Sequence, residues 1–225
     1  VGAVVGYAEN VTGGIENVQV TGTIQINSNG VMGVGAIVGY DNCSPSLQIK
    51  NCKVSGIVGK SAIVAGDAYV GGLIGYASGG VVLEGNTVEN LQVKGTSSVG
   101  AIAGGMLPGG KAYNNTVKNV NLISSTSAGV VAGTINGKVT IDGLVTDNVI
   151  FNNGTEKIES VGSAVKVDNV YYGTLNEAVT EGEDNTIKVE LLGKHTLADD
   201  ESYEYTKNVE VTGDLTYTRN LTGNW

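Results

Sequence analysis

The stretch VGGLIGY, residues 70–76, recurs along the chain and decides how the rest is read. VGAVVGY (1–7) and VGAIVGY (34–40) precede it, and the weaker VGAIAGG (99–105) and AGVVAGT (128–134) follow. Its first glycine falls at 2, 35, 71, 100 and 129, with a worn sixth copy, VGSAVKV, at Gly162. The intervals are 33, 36, 29, 29 and 33 residues. A second phrase rides behind the first: IENVQVTG (15–22), IKNCKVSG (49–56), VENLQVKG (88–95), VKNVNLIS (117–124) and TDNVIFNN (146–153). Its asparagine stands at 17, 51, 90, 119 and 148, and in the last three copies it lies 19 residues after the leading glycine. Two phrases in step at a period of about thirty residues mark a stacked-repeat architecture.

The spacing of side chains says which kind. The segments are short, rich in Val and Ile, nearly free of Pro and separated by Gly, Asn and Ser. That is strand-and-turn composition, and no 3.6-residue period runs through residues 1–160. Val18 and Val20 alternate with polar Gln19, whereas Ile15 breaks the alternation. A bend at Asn17 restores it, because Asn tolerates the left-handed backbone conformation and bonds locally through its amide. Repeated bends predict a column of asparagine turns. The expectation is an all-β, right-handed parallel β-helix of five to six coils, one repeat per coil, with strands stacked about 4.8 Å apart. In the first phrase the central residues Val4, Ile37, Leu73, Ile102 and Val131 are expected to point into the core. The glycines on either side would sit where backbone packs on backbone and a Cβ would clash.

The phrase VGGLIGY and its relatives resemble the GLUG motif, a Gly-Leu-hydrophobic-Gly repeat of bacterial surface and adhesin-like proteins. The motif also occurs in non-catalytic regions of some secreted immunoglobulin A proteases. The resemblance covers about residues 1–165 and implies a non-enzymatic adhesion or interaction protein, exported and attached to the outer membrane. It implies a host or matrix protein or glycan as partner, and no cofactor. No His-Glu-x-x-His zinc helix is present, since His195 is the only histidine.

Charge and glycine divide the chain. Residues 1–150 carry 8 acidic and 7 basic side chains, and residues 151–225 carry 14 and 6. Of the 35 glycines, 28 lie in residues 1–150. The repeats are electrically bland and the tail acidic, which argues against nucleic acid or an anionic membrane surface. No apolar run reaches the length of a membrane helix. The expected division is 1–164 for the repeats and 165–225 for a small α+β segment. Within that segment, Thr174 and Glu177 form a capping box for a short helix near 174–181. A strand over 186–192 should follow, then strands over 209–213 and 214–225. The helix region resembles the opening segment of pectate-lyase-like β-helices, where a short helix precedes the first coils, and it would cover the open end of the core. Residues 214–225 resemble the start of a C-terminal β-domain that follows repeats in surface proteins of gut-type bacteria. The chain therefore reads as a piece of a longer protein. Its first coil should leave a strand edge that a neighbour or further residues of the natural protein would cover.

Candidate chemistry is sparse. Eight carboxylates lie in residues 1–150: Glu9, Glu16, Asp41, Asp67, Glu84, Glu89, Asp142 and Asp147. A carbohydrate-active enzyme would gather two or more of them on one face. Glu16 and Glu89, however, share a repeat position with Lys50, Lys118 and Asp147, which reads as a solvated column of mixed sign. Arg219 is the only arginine, and His195 reads as solvated surface. The acidic turns EGED (181–184) and ADDE (198–201) lack calcium-loop spacing. The doublets Gly13–Gly14, Gly79–Gly80 and Gly109–Gly110 lack the Lys-Ser/Thr of a phosphate loop. Tyr7, Tyr40 and Tyr76 occupy one repeat position, either as a ladder covering an edge or as a stacking face for a sugar or protein. The triplets at Asn10 and Asn114 are what the composition gives by chance. Cys43 and Cys52 would form a disulfide across a turn, or Cys52 would be a buried free thiol; its place at the level of Val18, Leu91, Val120 and Val149 favours the thiol. No catalytic, metal or cofactor residue is assigned.

Overall fold

The computed structural model describes residues 1–11, 13–42, 47–151, 160–162, 164–181, 186–197 and 208–217, with side chains in the last two segments described only for 186–192 and 208–213. The protein is mostly β, with one short helix. Strands of each repeat pair in parallel with the same strands of the next. Along the first sheet lie Val5–Glu9, Val38–Asn42, Ile74–Ala77, Ala103–Met106 and Ala132–Ile135. A second joins Gly33–Gly35, Tyr69–Gly71, Ser98–Gly100 and Ser127–Gly129. The third begins with Gly14–Glu16, Gln48–Lys50, Val82–Glu84, Lys111–Tyr113 and Val139–Asp142. A fourth sheet holds Gln19–Gly22, Lys53–Gly56, Thr87–Lys94, Thr116–Ile123 and Val145–Phe151.

The repeated VGxxxGY phrase spans two of these sheets. Its first glycine ends a strand of the second sheet, and its second glycine lies in the first sheet. Between them Ile37, Leu73, Ile102 and Val131 are fully buried. Val4, in the first copy, departs from the expected pattern at 46% exposure. The glycines have ordinary backbone angles, and close approach explains them. A Cβ on Gly75 would come within 3.0 Å of the Val34 nitrogen and the Gly39 carbonyl oxygen. Gly104 meets Val70, and Gly133 meets Val99, in the same way. The sixth copy fits differently from its alignment. Val161 bridges Ala132, and the Gly162 nitrogen lies against Gly129 as those of Gly75 and Gly104 lie against Gly35 and Gly71. Gly162 therefore takes the place of the phrase's second glycine, 29 residues after Gly133.

The second phrase contains a phase slip. Asn90, Asn119 and Asn148 form one column, with φ of 54°, 51° and 51°. Asn119 Nδ2 donates to Asn90 Oδ1 at 3.1 Å, and Asn148 Nδ2 to Asn119 Oδ1 at 2.8 Å. Asn17 and Asn51 belong to another column. Pairing of Lys50 with Glu84, and of Glu84 with Tyr113, puts them level with Gly85, Asn114 and Gly143. All five have left-handed φ, at 57°, 52°, 64°, 53° and 64°. The Asn90 column continues downward through Gly56, paired with Gly22. Each repeat thus has two turn positions, five residues apart; the first is left-handed with either Asn or Gly, and the second is left-handed at Asn90, Asn119 and Asn148.

The same slip relocates Cys52. Lys53 pairs with Thr87, and Thr87 with Thr116, so Cys52 is level with Asn86 and Asn115 rather than with Leu91 and Val120. It is nevertheless a buried free thiol. Its Sγ donates to Lys50 O at 3.2 Å and to Ile15 O at 3.5 Å, and burial raises its pKa. Iodoacetamide should label Cys52 roughly a hundredfold more slowly in the native protein than in denaturant. Mass-spectrometric readout of that residue checks this, and equal rates would refute the burial. Cys43 lies outside the described residues.

Repeat length varies because the long strand of the fourth sheet is broken in the early copies. Thr87–Lys94 pairs at one end with Lys53–Gly56 and at the other with Ile63–Ala65, across an intervening loop. Gln25–Asn27 continues the pairing onto Ile63–Ala65.

Beyond the fifth copy the parallel order stops. Val170–Tyr172 pairs antiparallel with Val139–Asp142, and then with Ala164–Val167 through a turn at Asp168, whose φ is 52°. Thr186–Leu197 adds antiparallel to Ala164–Val167, and Asn208–Tyr217 adds parallel to Thr186–Leu197. The two strands expected over 209–213 and 214–225 are therefore one strand as far as Tyr217. The helix, Leu175–Glu181, carries the capping box: Glu177 N donates to Thr174 Oγ1 at 3.2 Å, and Thr174 N to Glu177 Oε2 at 3.1 Å. Its buried Ala178 and Val179 belong to a second cluster with Val165, Tyr172, Ile187, Val189 and Leu191. The helix covers the tail sheet, where its apolar face finds partners, and its buried residues are separate from the repeat core.

Candidate functional site

Outward positions of the first sheet build an aromatic column. Tyr7 pairs in register with Tyr40, and Tyr40 with Tyr76. Their rings stack at 5.5 and 5.0 Å, inclined by 10° and 16°. These distances are the strand spacing plus a small offset, so the backbone ladder imposes the stack. The column stops at Gly105, which pairs with Tyr76. Tyr69 fills the space: its ring tilts against Tyr76 at 4.7 Å, and a Cβ on Gly105 would lie 2.7 Å from it. Tyr69 was not singled out in the sequence. The available signal was its position opposite Gly33 and Ser98, where only this repeat has a large side chain.

At the open end Tyr7 is 55% exposed, and its hydroxyl accepts from Asn42 Nδ2 at 3.3 Å. A groove of about 450 Å³ lies beside it, lined by Val1, Gly6, Tyr7, Val31, Met32, Gly33 and Tyr40. A second groove of about 250 Å³ is polar and follows the amide column, lined by Asn90, Asn119, Gln92, Asn121, Lys60 and neighbours.

The carboxylates do not converge. Glu16, Lys50, Glu84 and Asp142 share one column, and Glu89, Lys118 and Asp147 another. The expected single column of mixed sign is therefore two. Lys50 pairs with Glu84 at 3.3 Å, and Lys53 with Glu89 at 2.7 Å. Asp67 Oδ2 accepts from Gly30 N at 2.6 Å. Asp41 is fully buried, its Oδ2 accepting from Ser78 N and Oγ at 3.1 and 2.9 Å. Among the described residues no three His, Cys, Asp or Glu side chains gather as metal ligands would. Glu181 is described, but the rest of EGED, all of ADDE, Arg219 and the His195 side chain lie outside the described residues.

Hydrogen bonds from Lys53 and from Ser55 Oγ, the latter at 2.8 Å, hold the Glu89 carboxyl below its usual pKa of 4.5. A depressed folded-state pKa adds stability above the unfolded value, and that stability is lost as pH falls through the folded one. Glu89→Gln should therefore cost about 0.5 kcal/mol at pH 7 and nothing at acid pH below the folded value. Urea midpoints at the two pH values check this; an equal cost at both would refute it.

The chain matches no protein-family model, no curated protein and no solved structure. No helix among the described residues is long and apolar enough to cross a membrane.

Proposed function

We propose that residues 1–164 form a right-handed parallel β-helix of five to six GLUG-type coils, and that the protein is a non-enzymatic adhesion or interaction module of a bacterial cell surface. The parallel register of every repeat on the next supports the architecture, and the strong preference for right-handed parallel crossovers supplies the hand. The observation that carries the function is the Tyr7–Tyr40–Tyr76 column beside its groove. Stacked flat rings, partly exposed on a regular face, offer contact area to a sugar ring or a protein chain at low entropic cost. The amide-lined groove adds hydrogen-bonding groups suited to a neutral glycan.

A glycan and matrix-protein array tests this reading. Binding that falls at least about tenfold in Tyr40→Ala supports it. A passive stalk would bind nothing on either array. New reducing ends or unsaturated uronates from a polysaccharide panel would instead revive a carbohydrate-active enzyme.

A further inference from the structure

We propose that the amide groove of the fourth sheet binds an extended polysaccharide of neutral, equatorially 1,4-linked sugars, laid along the stack of repeats with one ring per repeat. This rests on the reading of the protein as an adhesion module and gives it a ligand class. The site is the amide groove, on a different sheet from the tyrosine column.

Three observations carry it. First, the Asn90–Asn119–Asn148 ladder lies at the surface: Asn90 is half-buried, and Asn119 and Asn148 are exposed. An amide has two N–H donors and two carbonyl lone pairs. Asn119 spends one donor on Asn90 Oδ1 and one acceptor on Asn148 Nδ2, which leaves one of each for a ligand. The pattern recurs at the strand spacing of about 4.8 Å. Second, a parallel line stands two residues further on, where Ile63, Gln92, Asn121 and Ile150 pair in register across four repeats. Its two amides lie between two aliphatic side chains, of which Ile150 is 51% exposed. Third, the groove has a built end. The loop that breaks the strand before Ile63–Ala65 turns through a Lys60 N to Ile57 O bond of 3.0 Å and brings Lys60 and Ser61 to the lining.

These features select the ligand. Among the described residues lining the groove only Lys60 is charged, which suits a neutral chain. A hydroxyl both donates and accepts, so it matches the donor and acceptor left at each level. Pyranose rings joined through equatorial bonds at positions 1 and 4 make a straight chain that advances by close to one strand spacing per ring, so successive rings meet equivalent amides. An α-1,4 chain coils away from such a line. An extended peptide presents same-side backbone groups every second residue, about 6.6 Å apart, and falls out of step. The rings at either end find Ile63 and Ile150 for their C–H faces.

The test titrates the whole 225-residue chain with cello- and chito-oligosaccharides of two to six sugars, with maltotetraose as the coiled control. Affinity by calorimetry should rise at least about threefold per sugar from dimer to tetramer and then level off, because four repeats line the columns. The side-chain amide resonances of Gln92 and Asn119 should shift on titration. Gln92→Val keeps an outward strand former and removes one amide, so it should weaken tetramer binding at least about tenfold with the urea midpoint unchanged. The proposal is overturned if neither tetramer binds at ~10 mM, if maltotetraose binds as well as they do, if the tetramers bind no better than the dimers, or if Gln92→Val binds like the parent. In each of those cases the adhesion reading survives if another glycan or a matrix protein binds, whereas silence on both arrays removes the two together.

Discussion

Gly104→Ala is expected to abolish cooperative folding or to cost more than about 4 kcal/mol, although it adds one methyl group. The added Cβ would lie within 3.0 Å of the Val70 nitrogen, the Gly75 carbonyl oxygen and the Tyr69 carbonyl carbon. All three atoms are backbone in paired strands, so no rotamer change relieves the clash. The repeats would have to separate locally, breaking the ladders on either side and exposing Ile102 and Leu73, both fully buried. Ordinary overpacking costs about 1–3 kcal/mol because side chains yield; here the backbone itself must move. Gly6→Ala is the matched control, since the equivalent Cβ meets nothing, and its effect should stay within about 0.5 kcal/mol. Urea unfolding of both variants decides the matter. A Gly104→Ala protein with the parent's midpoint would refute backbone-on-backbone packing as the reason for the glycine pairs.

Asn86→Leu should cost about 3–5 kcal/mol despite its similar volume and more apolar side chain. Asn86 and Asn115 are each 1% exposed and form an amide ladder inside the repeat stack. Asn86 Oδ1 accepts from Cys52 N at 2.9 Å, and Nδ2 donates to Ile49 O at 2.9 Å and Asn115 Oδ1 at 3.1 Å. Asn115 Oδ1 also accepts from Asn86 N at 3.0 Å, and its Nδ2 donates to Leu83 O at 2.8 Å. A leucine takes a donor from Ile49 O and Asn115 Oδ1 and an acceptor from Cys52 N, all at a level of the stack buried from solvent. The same column holds Cys52 and Leu144, so its shape accepts apolar residues. Asn86→Leu combined with Asn115→Leu should therefore cost less than the sum of the single changes, by about 1 kcal/mol or more. Additive losses would show that the two amides do not act as a ladder.

The repeat was legible because its physical demands are local. A Cβ-free position bracketing a buried aliphatic is written as glycine every time, and the capping box of Thr174 and Glu177 is written in four consecutive residues. The aromatic column was legible for the same reason, as Tyr7, Tyr40 and Tyr76 follow the glycine directly. The lining of the two grooves was not. Met32, Lys60, Gln92 and Asn121 come from different segments of the chain, and only the packing of repeats brings them beside the columns.

The turn columns show where such reading stops. Asn17, Asn51 and Asn90 look alike in sequence, each preceded by a charged residue in a similar phrase. A left-handed corner asks the same of Asn as of Gly, so the letters cannot tell the first corner of a repeat from the second, five residues on. The first column is left-handed throughout, as Asn17, Asn51, Gly85, Asn114 and Gly143, whereas level with Asn90 the earlier repeats have Gly22 and Gly56, and Gly56 is not left-handed. By itself the sequence determined strand content, the period, the buried aliphatics and the glycines pressed against backbone, all needs met within a few residues. Tertiary structure decided which corner lies over which, that Asn86 and Asn115 face inward, and that the stack closes with antiparallel strands. Those choices rest on bonds between residues 29 to 37 apart, such as Asn86 to Asn115 and to Ile49, and on the register that buries apolar surface while pairing these inward-facing amides.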